Sequence, residues 1–150
     1  MTATVIDIEA NGLLDTVSTL WVFVGKELFS DSVVEYIGIK EIKKEVPKYL
    51  SNYKSIIGHN LLGYDIELLK RFLEYKEGTH IYVDTLVLSN LLYPDRVGGH
   101  SIEAWAERFG EKKVEQESWD VFDPNMVARC HKDVEICERV YKRVMWEMEQ

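Results

Sequence analysis

The chain has 150 residues, a formal net charge of −8 and a 46% apolar composition, which fits one ordinary domain, 1–150, with enough apolar surface for a stable core. The acidic balance argues against loose electrostatic binding along duplex DNA, which needs many phosphate contacts from Lys and Arg. No apolar run approaches the roughly 18 residues of a membrane span, Met1-Thr2-Ala3-Thr4 lacks a secretory signal, and Cys130 and Cys137 offer no disulfide framework, so a cytoplasmic setting is expected.

Residues 4–9, Thr-Val-Ile-Asp-Ile-Glu, alternate and are rich in β-branched side chains, and a Gly-containing turn, Ala10-Asn11-Gly12, follows; they read as a strand. Residues 17–25 and 32–39 read as two more strands of a meander. A helical pattern covers 41–53, with Pro47 as a kink or late start. Ser55 to Gly58 is a short apolar strand. Residues 61–76 are helical, with Leu62, Ile66, Leu69 and Leu73 on one face. Ile81-Tyr82-Val83 is a strand, 85–92 a helix, Pro94 to Gly99 a break, and 101–109 a helix. Residues 110–122 read as a loop. Asp123-Pro124 then supplies an N-cap and a first-turn proline for a helix that can run to the end of the chain. Strands first, then helices alternating with short strands, give an α/β mixed sheet: an antiparallel meander plus parallel strands, with helices on both faces.

Acidic residues recur at three places in this plan. Asp7 and Glu9 are two apart on a strand, so both carboxylates face one side while Ile6 and Ile8 face the core. About 7 Å apart along the strand, they suit a pair of divalent cations, and equally an ordinary solvated strand end. "GHNLLGYD" puts Asp65 in the first turns of a helix, with His59 and Asn60 at the strand-to-helix junction where α/β sheets bind ligands. Asn60 as a helix cap and Tyr64 as a half-buried aromatic remain open. On the last helix the core stripe is Val127, Cys130, Val134, Cys137, Tyr141 and Val144. Asp133 borders it, and Arg129 lies one turn earlier on nearly the same face. His131, about 200° around the helix from Asp133, points elsewhere. Both cysteines read as core residues rather than ligands.

The blocks "DIEANGLL", "HNLLGYD", "DTLVLSNLLYPD", "HSIEAWAERFGEKK" and "DVEI" occur in this order. Together they resemble the DEDD superfamily of 3′–5′ exonucleases, and within it the proofreading exonuclease domains of phage family-A DNA polymerases. The resemblance runs from residue 4 to about 142 and implies a ribonuclease-H-like fold. Asp7 and Glu9 match its first motif, Asp65 its second and Asp133 its third. It implies hydrolysis of single-stranded DNA 3′ ends to nucleoside 5′-monophosphates with two divalent ions, Mg²⁺ or Mn²⁺. Asp7 would bridge both ions, Glu9 and Asp133 would hold the ion carrying the attacking water, and Asp65 would help hold the other. By the same resemblance Asn11, Gly12 and Leu13 meet the terminal nucleotide, with Leu13 as the wedge, and Asn60 and Tyr64 contact the strand. His100 is placed to reach a phosphate from a helix N-terminus, or is a surface cap residue. Asp84 is a helix N-cap or an orienting group.

The chain departs from the pattern at one point. The family's tyrosine subclass has Tyr four residues before the third-motif Asp, and its histidine subclass has His five before. Here those positions hold Arg129 and Ala128. Arginine stays protonated and cannot act as a general base, but it can contact a phosphate. An exoribonuclease on short RNA and a catalytically weakened nucleic-acid-binding module are the competing readings. No polymerase domain follows Gln150, so a free-standing enzyme, one excised domain, and association with a polymerase or another replication protein are all open.

Overall fold

The computed structural model describes residues 2–112 and 114–150. Five strands form one sheet in the order β3-β2-β1-β4-β5. They are β1 (Ala3–Ala10), β2 (Leu20–Glu27), β3 (Val33–Ile37), β4 (Ser55–Gly58) and β5 (Ile81–Asp84). β1 is antiparallel to β2 and parallel to β4, and β5 is parallel to β4. The antiparallel meander and the parallel pair therefore meet on β1, as expected of the mixed sheet.

Helices cover both faces. α1 (Ile39–Leu50) and α2 (Ile66–Leu73) lie on one side, where Ile6, Ile8, Phe23 and Ile56 pack with Ile42, Val46, Ile66 and Leu69. On the other side α5 (Pro124–Met148) packs Met126, Cys130, Val134 and Cys137 against Val5, Val22, Val24 and Ile57. α3 (Thr85–Leu92) and α4 (Ile102–Arg108) flank α5, and Trp105 packs on Ile136, Val140 and Val144. The odd–even split of β1 puts Ile6 and Ile8 against α1 and α2, and Val5, Asp7 and Glu9 toward α5. Among the described residues, no helix is long and apolar enough to cross a membrane.

Three local expectations are corrected. Pro47 lies inside α1, which already starts at Ile39, so a late start at the proline does not hold; both Pro47 and Lys43, whose carbonyl loses its helical donor, sit on the exposed side, where solvent can reach that carbonyl. The buried face of α5 is wider than the predicted stripe, since Met126, Ile136 and Val140 are also buried. The sheet takes one side of α5 and Trp105 of α4 takes the next. Finally, residues 61–65 form a π-helical turn ahead of α2. Its wider winding turns Leu61 into the core and leaves Leu62 45% exposed, so the uniform helical face through Leu62 does not hold.

Asp84 ties this turn to the sheet. Its carboxylate caps α3 through the Leu86 N–H (3.0 Å) and accepts the N–H groups of Asn60 (2.9 Å) and Leu62 (3.0 Å). Replacing Asp84 with Ala leaves three backbone donors without that acceptor. The expected loss is about 3 kcal/mol, read as a lower urea midpoint. Asp84→Asn, which keeps one carbonyl oxygen, should lose less; equal midpoints for all three proteins would show that the carboxylate does not hold the turn.

Candidate active site

Four carboxylates converge beside the C-terminal half of β1, on the side facing α5. Asp7 and Glu9 arrive together because they alternate with Ile6 and Ile8, which anchor the opposite face. Their carboxylate oxygens and Cys130 Sγ lie within 4.8 Å of one another. Cys130 is fully buried, and its thiol donates to the Asp7 carbonyl (3.3 Å). Burial and the surrounding carboxylates push the thiol well above its ordinary range, so it stays a neutral core group, as its place in the stripe suggests.

Asp65 comes from the π-helical turn, and the local sequence explains how. Asn60 adopts a left-handed backbone, φ 61°, tolerated by Asn better than by most residues. Its side chain then closes over Gly63, where a Cβ would stand 2.4 Å from Asn60 Oδ1. Leu61 is buried against Gly58. Asp65 is thereby delivered to the sheet at 2% exposure. Asp133 is presented by α5 and contributes repulsion to both Asp7 and Glu9.

The electrostatics follow from this crowding. Asp7 is held well above the ordinary carboxylate range by burial, then by Glu9, Asp133 and Asp65. Asp65 is raised by burial and then by Glu9, against which the Ile8 backbone N–H pulls it down. Glu9 is pushed up to about 7 by burial and by Asp133, while Arg129 opposes the rise. Among the described residues, Asp7 Oδ2 and Asp65 Oδ1 are buried acceptors without a hydrogen-bond partner. Unpartnered buried acceptors are rare in folded proteins. A hard divalent cation answers both conditions, since it satisfies the oxygens and neutralises the repulsion. The residues present therefore fit Mg²⁺ or Mn²⁺.

The cluster opens into a cavity of about 500 Å³ lined by Asp7, Asp133, His59, Asn60, His100 and Glu103 among others. A second cleft of about 410 Å³ lies beside Glu9, between Gly12, Leu13, Tyr64 and Trp119. Leu13 is 73% exposed at its rim. Tyr64 donates its hydroxyl to the Gly12 carbonyl (2.8 Å), so it offers a ring face and no free hydroxyl. Asn11 faces its own loop: its carboxamide binds the backbone of Ser18 and Thr19 and the Ser18 hydroxyl.

His100 has both ring nitrogens engaged, Nδ1 with Ser89 Oγ (2.7 Å) and Nε2 with the Pro94 carbonyl (3.1 Å). The cap of α4 is Ser101, which accepts the Ala104 N–H. His59 bridges Thr85 Oγ1 and the His100 carbonyl, both at 2.7 Å, and burial lowers its pKa. Its role as a strut between α3 and the start of α4 was not legible in sequence. Asp84 is a cap, as expected, and it also holds the backbone of the turn that carries Asp65. His131 pairs with Glu35 on β3 (2.6 Å), away from the cluster, as its helical angle predicts.

Arg129 is 16% exposed and also committed: it donates to the Val114 carbonyl (2.8 Å), pairs with Glu103 (3.3 Å) and lies over the Trp119 ring, 5.4 Å from its centroid.

No family model matches the chain. The DNA-directed DNA polymerase of Escherichia phage T7 is 28% identical over 139 residues, covering 73% of this chain and 19% of the polymerase. The chain thus spans about a fifth of that relative's length. Many solved structures share the fold. Brucella melitensis NrnC bound to pGG is 20% identical with a TM-score of 0.74, over 98% of this chain and 73% of NrnC. The family B DNA polymerase of the archaeon Pyrobaculum calidifontis is 15% identical with a TM-score of 0.70, over 97% of this chain and 24% of the polymerase. The fold is the ribonuclease-H-like mixed sheet with helices on both faces that was expected.

The carboxylates make a signed prediction for the metal-free protein. Glu9 in the folded state keeps its proton up to about 7, against 4.5 ordinarily. Stability from this group is full below the unfolded value and is lost as pH rises through about 7. Asp7 and Asp65 act in the same sense, whereas His59, shifted down, contributes stability that is lost as pH falls. The gap between the native chain and Glu9→Gln isolates the Glu9 contribution. In EDTA that gap should change against the native chain by up to about 3 kcal/mol between pH 5 and 7.5, and Mn²⁺ should remove most of the change. Urea titrations at the two pH values measure it; a pH-independent gap would mean that Glu9 is not crowded as described.

Proposed function

We propose that this chain is a metal-dependent 3′–5′ exonuclease that hydrolyses single-stranded DNA ends to nucleoside 5′-monophosphates. The observation that carries the reading is the cluster of Asp7, Glu9, Asp65 and Asp133, a crowded and mutually repulsive set in which Asp7 Oδ2 and Asp65 Oδ1 have no hydrogen-bond partner, beside an open cavity. The likeness to the phage T7 polymerase supports a DNA substrate. NrnC has also been solved with bound Mg²⁺, which supports a divalent cofactor here.

In this reading the four carboxylates hold two cations, with Asp7 central because Glu9, Asp133 and Asp65 all press on it. Divalent cations held there supply a water of lowered pKa and stabilise the attacking and leaving oxygens of an in-line displacement. The chain's own residues shape the approach. Leu13 stands at the rim where a strand must bend, and Tyr64 offers its ring beside it. Asn60 and His100 line the larger cavity, where a phosphate or sugar would lie. Arg129 is not a base, because a guanidinium keeps its protons. Base assistance is worth about 10²–10⁴-fold, so the reaction proceeds without it at a lower rate.

A second reading, cleavage of very short oligonucleotides including RNA, draws on the likeness to NrnC, solved with pGG. The 2′-hydroxyl is what would separate the substrates, so matched DNA and RNA strands of two to ten nucleotides decide between them.

The direct test follows a 5′-labelled single strand on a gel with Mg²⁺, Mn²⁺ or EDTA. A ladder shortening from the 3′ end, only with metal, is expected. Asp7→Asn should fold normally and lose more activity than the roughly 10–100-fold typical of a mere supporting partner. Undiminished cleavage in EDTA, or by Asp7→Asn, would rule the site out.

A further inference from the structure

Arg129 is a residue without an assigned task. By the resemblance it takes the place of the tyrosine subclass's Tyr, yet both its terminal nitrogens are engaged by protein acceptors, and its Nε is buried without a partner. What it touches is the segment between α4 and α5. It holds that segment at the Val114 carbonyl, anchors to Glu103 on α4, and presents its cation to the Trp119 ring. Such a cation–ring contact within about 6 Å is attractive and strengthens when desolvated. Trp119 is fixed from a second side, since Trp21 on β2 donates its indole N–H to the Trp119 carbonyl (2.8 Å).

Held in this way, Trp119 lines the cleft beside Glu9 together with Leu13 and Tyr64. The cleft, about 410 Å³, falls within the roughly 300–1,000 Å³ of small-ligand sites. The cleft is also braced at Tyr64, whose hydroxyl is tied to the Gly12 carbonyl. Apart from Glu9, the side chains lining it are apolar or aromatic. It therefore offers faces to stack on and no set of donors and acceptors to read a base edge.

Building on the nuclease reading, we infer that Trp119 is a substrate-binding residue that stacks an unpaired nucleobase against Leu13 and Tyr64, and that Arg129 is the positioning residue that holds Trp119 there. The slot takes any of the four bases, because a ring face is common to all of them. A strand that is still base-paired is excluded, since its base is stacked inside a duplex. The position of Arg129 is thus used to build the substrate slot.

The test uses a 5′-fluorescein-labelled ten-nucleotide DNA strand and the same strand with an abasic 3′-terminal residue. Affinity is read by anisotropy with Mg²⁺ in the non-cleaving Asp7→Asn background, and KM and kcat are read in the otherwise native chain. Trp119→Ala should raise Kd and KM for the ordinary strand about tenfold, the size of one lost stacking contact, with kcat changed far less. On the abasic strand it should change neither. Trp119→Phe should stay within about threefold of the native chain, since it keeps a ring. Arg129→Ala should weaken binding in the same strand-selective way, by less than Trp119→Ala. Thermal melting identifies any variant that fails to fold; Trp119→Phe and Leu13→Ala, tested on the same two strands, then carry the comparison. If the native chain cleaves the strand but Trp119→Ala affects both strands equally, or neither, the slot is wrong and the nuclease reading stands. If the native chain neither binds nor cleaves any strand, the nuclease reading itself falls, and this inference with it.

Discussion

Placing carboxylates side by side under a helix is the demand to which most of this molecule answers. Each ionised group loses hydration there and is repelled by the others. In the metal-free state the chain responds by holding protons, most visibly at Glu9, which is pushed up to about 7. The rest of the architecture keeps the four groups from separating. β1 is the central strand and is paired on both edges. α5 lies across it through Cys130, Val134 and Cys137. Asp65 rides on a turn held by Asp84 from the neighbouring strand. A stability optimum alone would not gather such groups, and a bound divalent cation, as proposed above, would offset their repulsion.

The π-helical turn shows how one local irregularity serves that purpose. A regular helix from Leu61 would carry Leu62 into the core. The wider turn buries Leu61 instead and brings Asp65 to the sheet at 2% exposure. Gly63 lets the Asn60 side chain close over it, since a Cβ there would push that side chain aside, and Asn60 is suited to its left-handed backbone. π-helical turns are rare and occur often at functional sites. Here the turn lies between β4, which is paired in parallel on both sides, and α2.

Arg129 and His131 illustrate how far helical geometry can be trusted. Two residues apart on α5, they face different surroundings: His131 reaches Glu35 on β3, while Arg129 faces Glu103 on α4 and the Trp119 ring. Angular position alone separates them. It does not say what Arg129 will meet, because Val114 and Trp119 belong to an irregular segment whose path is set by contacts distant in sequence, such as the one between Trp21 and Trp119.

What the sequence determined by itself was everything that depends on local periodicity: the strands and helices within a few residues, the alternation that puts Asp7 and Glu9 on one face, the capped start of α5 at Asp123, and the place of both cysteines in the core. Periodicity is local, so it can be read without knowing the neighbours. Only the tertiary structure decided what depends on those neighbours. It brought Asp65 and Asp133 to β1, and it made Asp84 the anchor of a turn more than twenty residues upstream. It turned Asn11 onto its own loop, engaged both nitrogens of His100, and brought Trp119, Leu13 and Tyr64 to one cleft. A hydrogen-bonding side chain takes whichever partner packing puts within about 3 Å, and residues far away in the chain can supply that partner, as Trp119 does for Trp21, Asp84 for Asn60 and Glu35 for His131.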